Sequence, residues 1–180
     1  MKDFLKKNYN FTDYQIAQLG HLAKTLLAEF SKLIIMGILF RKELPLYFAA
    51  IIMLLLMRTS TGGLHCKTYF TCLLSSCAYM FVCIKLLPMI PLPIVVQIIS
   101  LPICLYINYK WGPVTSDIHM PLTEEQKKRG RIRALLIIYI FAIVMSIIPD
   151  NKYLIVCYWV IIVHSLQLVY AKILKKGVLK

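Results

Sequence analysis

Charged residues are scarce in this 180-residue chain, and acidic residues are scarcer still. Asp, Glu, Lys and Arg together make up 16% of the sequence, whereas apolar residues make up 59%. Soluble domains carry about 25% charged residues. A single soluble domain of this length could not bury so much apolar surface, because its surface-to-volume ratio is too high. The composition therefore excludes a soluble enzyme and a disordered tail, and it favours a membrane protein.

The sequence also lacks the patterns that mark secreted disulfide scaffolds and common metal sites. Its six cysteines lie mostly within apolar runs, without the spacing of a disulfide framework. No CxxC or HxxxH pair occurs, so we expect no metal and no cofactor. A metal site made from His65, Cys66 and Cys72 is the alternative, although it has no evident fourth ligand. Residues 1–15 lack a compact apolar core and a cleavage site, so we expect no cleavable signal peptide.

Basic residues outnumber acidic ones by 21 to 8, which gives a net charge of +13. In a soluble protein this excess would suggest nucleic-acid binding. Here the basic residues lie between apolar runs, which is typical of loops held on the cytoplasmic side of a membrane. We therefore expect the lipid bilayer, and no nucleic acid, as a partner.

Long apolar runs predict an all-α fold: a polytopic membrane helix bundle that forms one integral membrane domain over residues 1–180. Two shorter or amphipathic helices near the N-terminus bring the expected total to six membrane segments. Thr123 and Gln126 have the spacing of a capping box, so we expect a helix to start near Glu124 and to run into the membrane. The four clear spans are 69–87, 92–110, 134–149 and 153–171.

The N-terminal third is less regular than the rest. Residues 1–32 form an amphipathic region, in which 16–32 places apolar residues at helical spacing and suits a helix lying in the membrane interface. The apolar run 44–57 has 14 residues, which reach about 21 Å as a helix and fall short of the roughly 30 Å hydrocarbon core. We expect 26–40 and 44–57 to form a short or tilted hairpin.

The distribution of basic residues predicts the orientation of the bundle. Lysines and arginines lie on both flanks of the last two spans, so 111–133 is expected to be a cytoplasmic basic loop. Pro149, Asp150 and Asn151 form the outer turn between these spans. Counting back along the chain places 58–67 on the cytoplasmic side of the cell membrane. Arg41–Glu43 then falls outside, although basic residues such as Arg41 and Lys42 are normally enriched on the cytoplasmic side.

The stretch 58–76 contains the residues best suited to chemistry, and we interpret it as a catalytic loop followed by a helix start. Cys72 lies seven residues after His65. Cysteine attacks as a thiolate, and imidazole is the usual base that generates one. On one unbroken helix this pair would be about 10.5 Å apart along the axis. His65 is therefore expected in a loop bent at Gly62 and Gly63, since glycine tolerates positive φ. The alternative is that neither residue is catalytic: Cys72 then fills space in the helix packing, and His65 is a polar residue at the membrane interface.

A polar stripe continues along the helix that carries Cys72. It suits a bundle interior or a substrate cavity better than lipid. Arg58 has two candidate roles, binding a substrate carboxylate or anchoring the helix end at lipid phosphates. His21 and His164 fit core or interface positions better than catalysis. The stripe consists of Thr68, Cys72, Ser75, Ser76, Tyr79 and Cys83.

This stretch resembles the signature of the accessory gene regulator B (AgrB) family, membrane cysteine endopeptidases of Gram-positive quorum sensing. The matching residues are Arg58, Gly63, His65, Cys72 and Ser76.

The resemblance implies a Cys72–His65 dyad that cleaves an AgrD-type precursor peptide. Cleavage would pass through an acyl-enzyme thioester and help to form a cyclic thiolactone or lactone autoinducing peptide. The oligomeric state stays open, with a homodimer as one candidate. A small membrane carrier or scaffold without chemistry is the competing interpretation. Substrate-binding or supporting roles fall to Arg58, Gly62, Gly63, Ser75 and Ser76.

Overall fold

The computed structural model describes residues 12–63, 68–114 and 123–178, and its regular elements in these ranges are helices. The all-α prediction is therefore confirmed. Short 3₁₀ turns occupy Arg41–Glu43 and Leu87–Met89, and a π-helical turn occupies Val82–Leu86. The α-helices are α1 (Asp13–Leu39), α2 (Leu44–Thr61), α3 (Tyr69–Phe81), α4 (Ile94–Trp111), α5 (Glu124–Ile147) and α6 (Lys152–Val178).

Five helical segments in the described ranges are long and apolar enough to cross a bilayer, so the protein is a multi-pass membrane protein. The four spans that were clear in the sequence are all among them, and the fifth contains α2. The helix α1 is not one of the five. The five segments are Arg41–Thr61, Tyr69–Met89, Ile94–Trp111, Glu124–Ile147 and Lys152–Ile173.

The expectation that 44–57 is too short to cross is wrong, because α2 continues through four polar residues. Residues 58–61 are helical rather than part of a loop. The Thr59 and Ser60 hydroxyls donate to Leu56 O at 3.1 and 2.9 Å, and the Thr61 hydroxyl donates to Met57 O at 3.0 Å. Each hydroxyl is thus satisfied within its own helix, which lets polar residues extend an apolar run.

The chain forms two compact units, Met1–Lys42 and Glu43–Lys180. In the first unit, Thr12 caps α1 by a capping box with Gln15. The helix runs without interruption to Leu39, so the amphipathic stretch 16–32 and the apolar residues after it form one element.

In the second unit, α6 is the central helix. Of its most apolar window 56% is buried, against 22–33% for the other four spans. It packs against α2 and α4, while α5 packs against the same two helices. The core between them holds Met57, Leu101, Ile138, Met145 and Ile161, all fully buried.

The two ends of this unit can be told apart by their connections. At one end, the tight turn expected at 149–151 is present, and Asn151 Oδ1 accepts from the Tyr153 amide at 2.9 Å. Glu43, at the start of α2, forms an ion pair with Lys85 in the π-helical turn after α3. At the other end, Val114 pairs with Thr61, the last residue of α2, and with Gly62 after it. The second end carries the candidate site.

Candidate functional site

The loop that leads toward Cys72 begins where α2 ends, at Gly62. Gly62 has φ +73°, and its amide donates to Arg58 O at 2.8 Å. The Val114 amide donates to Thr61 O at 2.9 Å. A Cβ at Gly62 would lie only 2.2 Å from Val114 O. Both the left-handed backbone and the close approach require glycine, so the bend expected here is present.

The side chain of Arg58 is half-buried and lies beside Gly63. Its Nε atom is buried without a hydrogen-bond partner among the described residues. A Cβ on Gly63 would lie 3.4 Å from this nitrogen, so glycine leaves room for the guanidinium stem. The charge of Arg58 lies within electrostatic range of Tyr79 and His164.

Cys72 lies at the first turn of α3. Thr68 is the N-cap, and its hydroxyl accepts from the Thr71 amide at 3.3 Å. The Cys72 amide donates to Thr68 O at 3.1 Å, and the Cys72 side chain is half-buried. Because the Cys72 amide is already engaged, it is not the free donor that an oxyanion would need.

The polar stripe along α3 faces the interior only over part of its length. Tyr79 and Cys83 are buried, and the Tyr79 hydroxyl donates to Val160 O at 2.9 Å. Ser76 is half-buried. Ser75 is exposed and does not lie in the bundle interior, which leaves the substrate cavity as the other expected surrounding for this residue.

His65 and Cys66 lie outside the described residues, as does 115–122. In the sequence, His65 stands three positions before Thr68, the N-cap of α3, and seven before Cys72.

The basic segment after Thr123 is helical rather than a loop, so the expected loop 111–133 ends where α5 begins. Thr123 and Gln126 form the predicted capping box. The Arg131 Nε donates to Gly112 O at 2.8 Å and so ties α5 to the end of α4. Lys128 and Arg133 are exposed at this end of the bundle.

Sequence reasoning missed two buried polar pairs close to this end. Thr61 Oγ1 and His164 Nε2 are 2.8 Å apart, and Asn108 Nδ2 donates to Ser165 Oγ at 2.9 Å. All four residues are at most 1% exposed. The sequence did offer a signal for these pairs, namely polar residues within or beside apolar runs. Burying such a residue in a membrane span is energetically unfavourable unless it has a hydrogen-bond partner.

An apolar groove of about 510 Å³ lies elsewhere, between α4 and α5, and it contains none of the candidate site residues. It is lined by Leu105, Tyr106, Tyr109, Ile132, Leu135, Leu136 and Tyr139.

Close helix approach at this end predicts sharply different effects for two glycine-to-alanine changes. A Cβ at Gly130 would lie 2.4 Å from Ser60 O, so Gly130→Ala must push α5 away from α2. A Cβ at Gly20 in α1 would have nothing within 4 Å. We expect Gly130→Ala to lower the apparent Tm in detergent. We expect Gly20→Ala to leave the Tm unchanged or to raise it, because alanine favours the helix by up to about 1 kcal/mol over glycine. Equal Tm values for the two variants would contradict the close packing.

Comparison with known proteins gives a consistent result. The family model for Accessory gene regulator B matches residues 1–168. A curated AgrB-like protein of Clostridium beijerinckii is 33% identical over 81 residues, which is 44% of this chain and 41% of that relative. The match thus spans less than half of the relative's length. No solved structure matches the chain significantly.

Proposed function

The chain belongs to the accessory gene regulator B family, and we propose that it is a membrane cysteine endopeptidase of a quorum-sensing system. Its substrate is an AgrD-type precursor with an amphipathic leader, a small central segment and an acidic tail. The observation that carries the proposal is the position of Cys72, half-buried at the first turn of α3, ten positions after the positive-φ Gly62 that ends α2.

The first chemical step is acyl transfer to Cys72. His65 takes the thiol proton, and the Cys72 sulfur attacks the peptide bond that follows the central segment. Protonated His65 then gives its proton to the leaving amine, and the acidic tail departs. The central segment stays attached to Cys72 as a thioester.

The second step closes the ring and frees the enzyme. A thiol or hydroxyl within the bound segment attacks the thioester carbonyl, which forms a thiolactone or lactone and returns the proton to Cys72 through His65. A thioester stores enough free energy for this exchange without ATP. Excluding water from the site favours ring closure over hydrolysis.

Charge at the same end of the bundle supports recognition of the acidic tail. Lys128 and Arg133 are exposed on the first turns of α5. Lys127 and Arg129 are instead paired with Glu124 and Glu125, at 2.7 and 2.6 Å. The exposed basic residues would attract an acidic peptide segment toward the membrane surface.

The competing carrier or scaffold function would use the interior polar groups as a ligand path. Those groups are bonded between helices instead, as in the contacts of Tyr79 with Val160 and of Asn108 with Ser165. Purified protein in liposomes, incubated with a synthetic AgrD-type precursor, separates the two. The endopeptidase releases the acidic tail, detected by mass spectrometry, and EDTA does not prevent it. A carrier moves the precursor intact, and loss of cleavage with EDTA would favour the metal alternative.

The proposed orientation puts this chemistry on the cytoplasmic side. In a background without other cysteines, we expect a membrane-impermeant thiol reagent to label Asn151→Cys only from outside. We expect it to label Lys128→Cys only from inside, because basic residues flank α5 and α6 at that end. Labelling of position 151 from the cytoplasmic side would reverse the orientation and move the site with it.

A further inference from the structure

A fully buried histidine is bound to the residue from which the catalytic loop departs. His164 lies on α6 with no exposed surface, and its Nε2 is 2.8 Å from the hydroxyl of Thr61, the last residue of α2. The two residues are 103 positions apart in the sequence. The mechanism above uses neither side chain.

The direction of this hydrogen bond depends on the tautomer of His164. The Thr61 hydroxyl has one proton to give, and it also lies 3.0 Å from Met57 O, to which it can donate. When that proton lies on Met57 O, His164 donates through Nε2–H, and its Nδ1 is the unprotonated acceptor.

Two buried polar atoms in this region have no hydrogen-bond partner among the described residues. They are His164 Nδ1 and Arg58 Nε. The charge of Arg58 lies within electrostatic range of His164. Leaving polar groups buried and unpaired is unfavourable.

Thr61 is held from two directions. Its side chain is bound to His164 on α6, and its carbonyl oxygen accepts from the Val114 amide at 2.9 Å. Gly62, with φ +73°, follows at once, and His65 comes three residues later. The orientation of Thr61 therefore sets the direction in which the loop leaves α2.

We propose that His164 is a positioning residue that, through its hydrogen bond to Thr61, fixes the end of α2, from which the segment that carries the proposed base His65 continues. His164 does not contact the substrate. The inference rests on the proposed endopeptidase function and goes beyond the dyad itself. A displacement of about 1 Å at a catalytic group can cost about 10²-fold in rate.

The test compares variants that remove or keep the hydrogen bond at constant shape. His164→Leu and Thr61→Val each remove it, and His164→Gln places an amide N–H near the position of Nε2. In liposomes, with rates normalised to folded protein, we expect the first two to lower kcat by about 10- to 100-fold with KM unchanged. We expect the Gln variant to recover most of the wild-type kcat. The double variant should be no slower than the slower single variant, because both remove one contact.

Ser165→Ala is the matched control. Ser165 is the next residue on α6 and is equally buried, but its partners are Asn108 and Ile161 O. We expect its kcat to stay within about twofold of wild type.

Three outcomes would overturn the proposal. Unchanged kcat in Thr61→Val, which keeps the shape of threonine, refutes positioning even if His164→Leu does not fold. Additive losses in the double variant, or an equal loss in Ser165→Ala, indicate a general effect on the core. A wild-type protein that does not cleave the precursor removes the proposed function and this inference together, whereas cleavage with an unaffected Thr61→Val removes only the inference.

Discussion

Replacing Cys72 by alanine is expected to abolish cleavage of the precursor while leaving membrane insertion and fold intact. Loss of an enzyme nucleophile lowers kcat by about 10⁶-fold in comparable cases, which is below detection here. The side chain is half-buried at the first turn of α3 and the change is small, so the helix should persist. Tail release is measured by mass spectrometry, and folding by gel filtration in detergent.

Cys77→Ala is the matched control for this variant. Cys77 lies on the same helix and is also half-buried. It lacks the seven-residue spacing from His65, so we expect close to wild-type cleavage. Full activity in Cys72→Ala would refute the assignment of the nucleophile, and equal losses in both variants would point to a structural effect on α3.

Replacing His65 by alanine is expected to lower the cleavage rate by about 10²- to 10⁴-fold, the usual contribution of a general base. His65→Gln should be no better, because an amide can hydrogen-bond but cannot accept a proton at neutral pH. Added imidazole should restore part of the activity to the alanine variant, since it can supply the missing base. The measurement is kcat for tail release in liposomes, with and without imidazole.

His21→Ala serves as the control for a general effect of losing a histidine. His21 lies on α1, in the other compact unit of the chain. We expect no change in rate for this variant. If His65→Gln retained wild-type kcat, His65 would act only through hydrogen bonding, and another group would have to accept the proton from Cys72.

The membrane spans could be predicted from the sequence because each depends mainly on its own residues. Apolar runs and the Thr123–Gln126 capping box are local signals, and the structure has helices at each of the four clear spans. The prediction failed where polar residues extend an apolar helix. Residues 58–61 looked like a loop, yet their hydroxyls bond back to Leu56 and Met57.

Contacts between helices could not be predicted from the sequence patterns. Helical periodicity places residues on a face but does not say which helix that face meets, so the contact of Thr61 with His164 could not be predicted. The same reason explains Ser75, which shares a stripe with buried Tyr79 but is exposed. The bend at Gly62 was predictable, because a glycine pair is a local signal for positive φ, here at the end of a helix.

The most direct test of the central claim is to trap the acyl enzyme. A precursor whose ring-closing thiol or hydroxyl is replaced by hydrogen can form the thioester but cannot leave by cyclisation. After incubation and proteolysis, the account predicts that mass spectrometry finds the central segment attached to the fragment containing Cys72, and that hydroxylamine releases it. Tail release without any adduct, or an adduct on a residue other than Cys72, would contradict it.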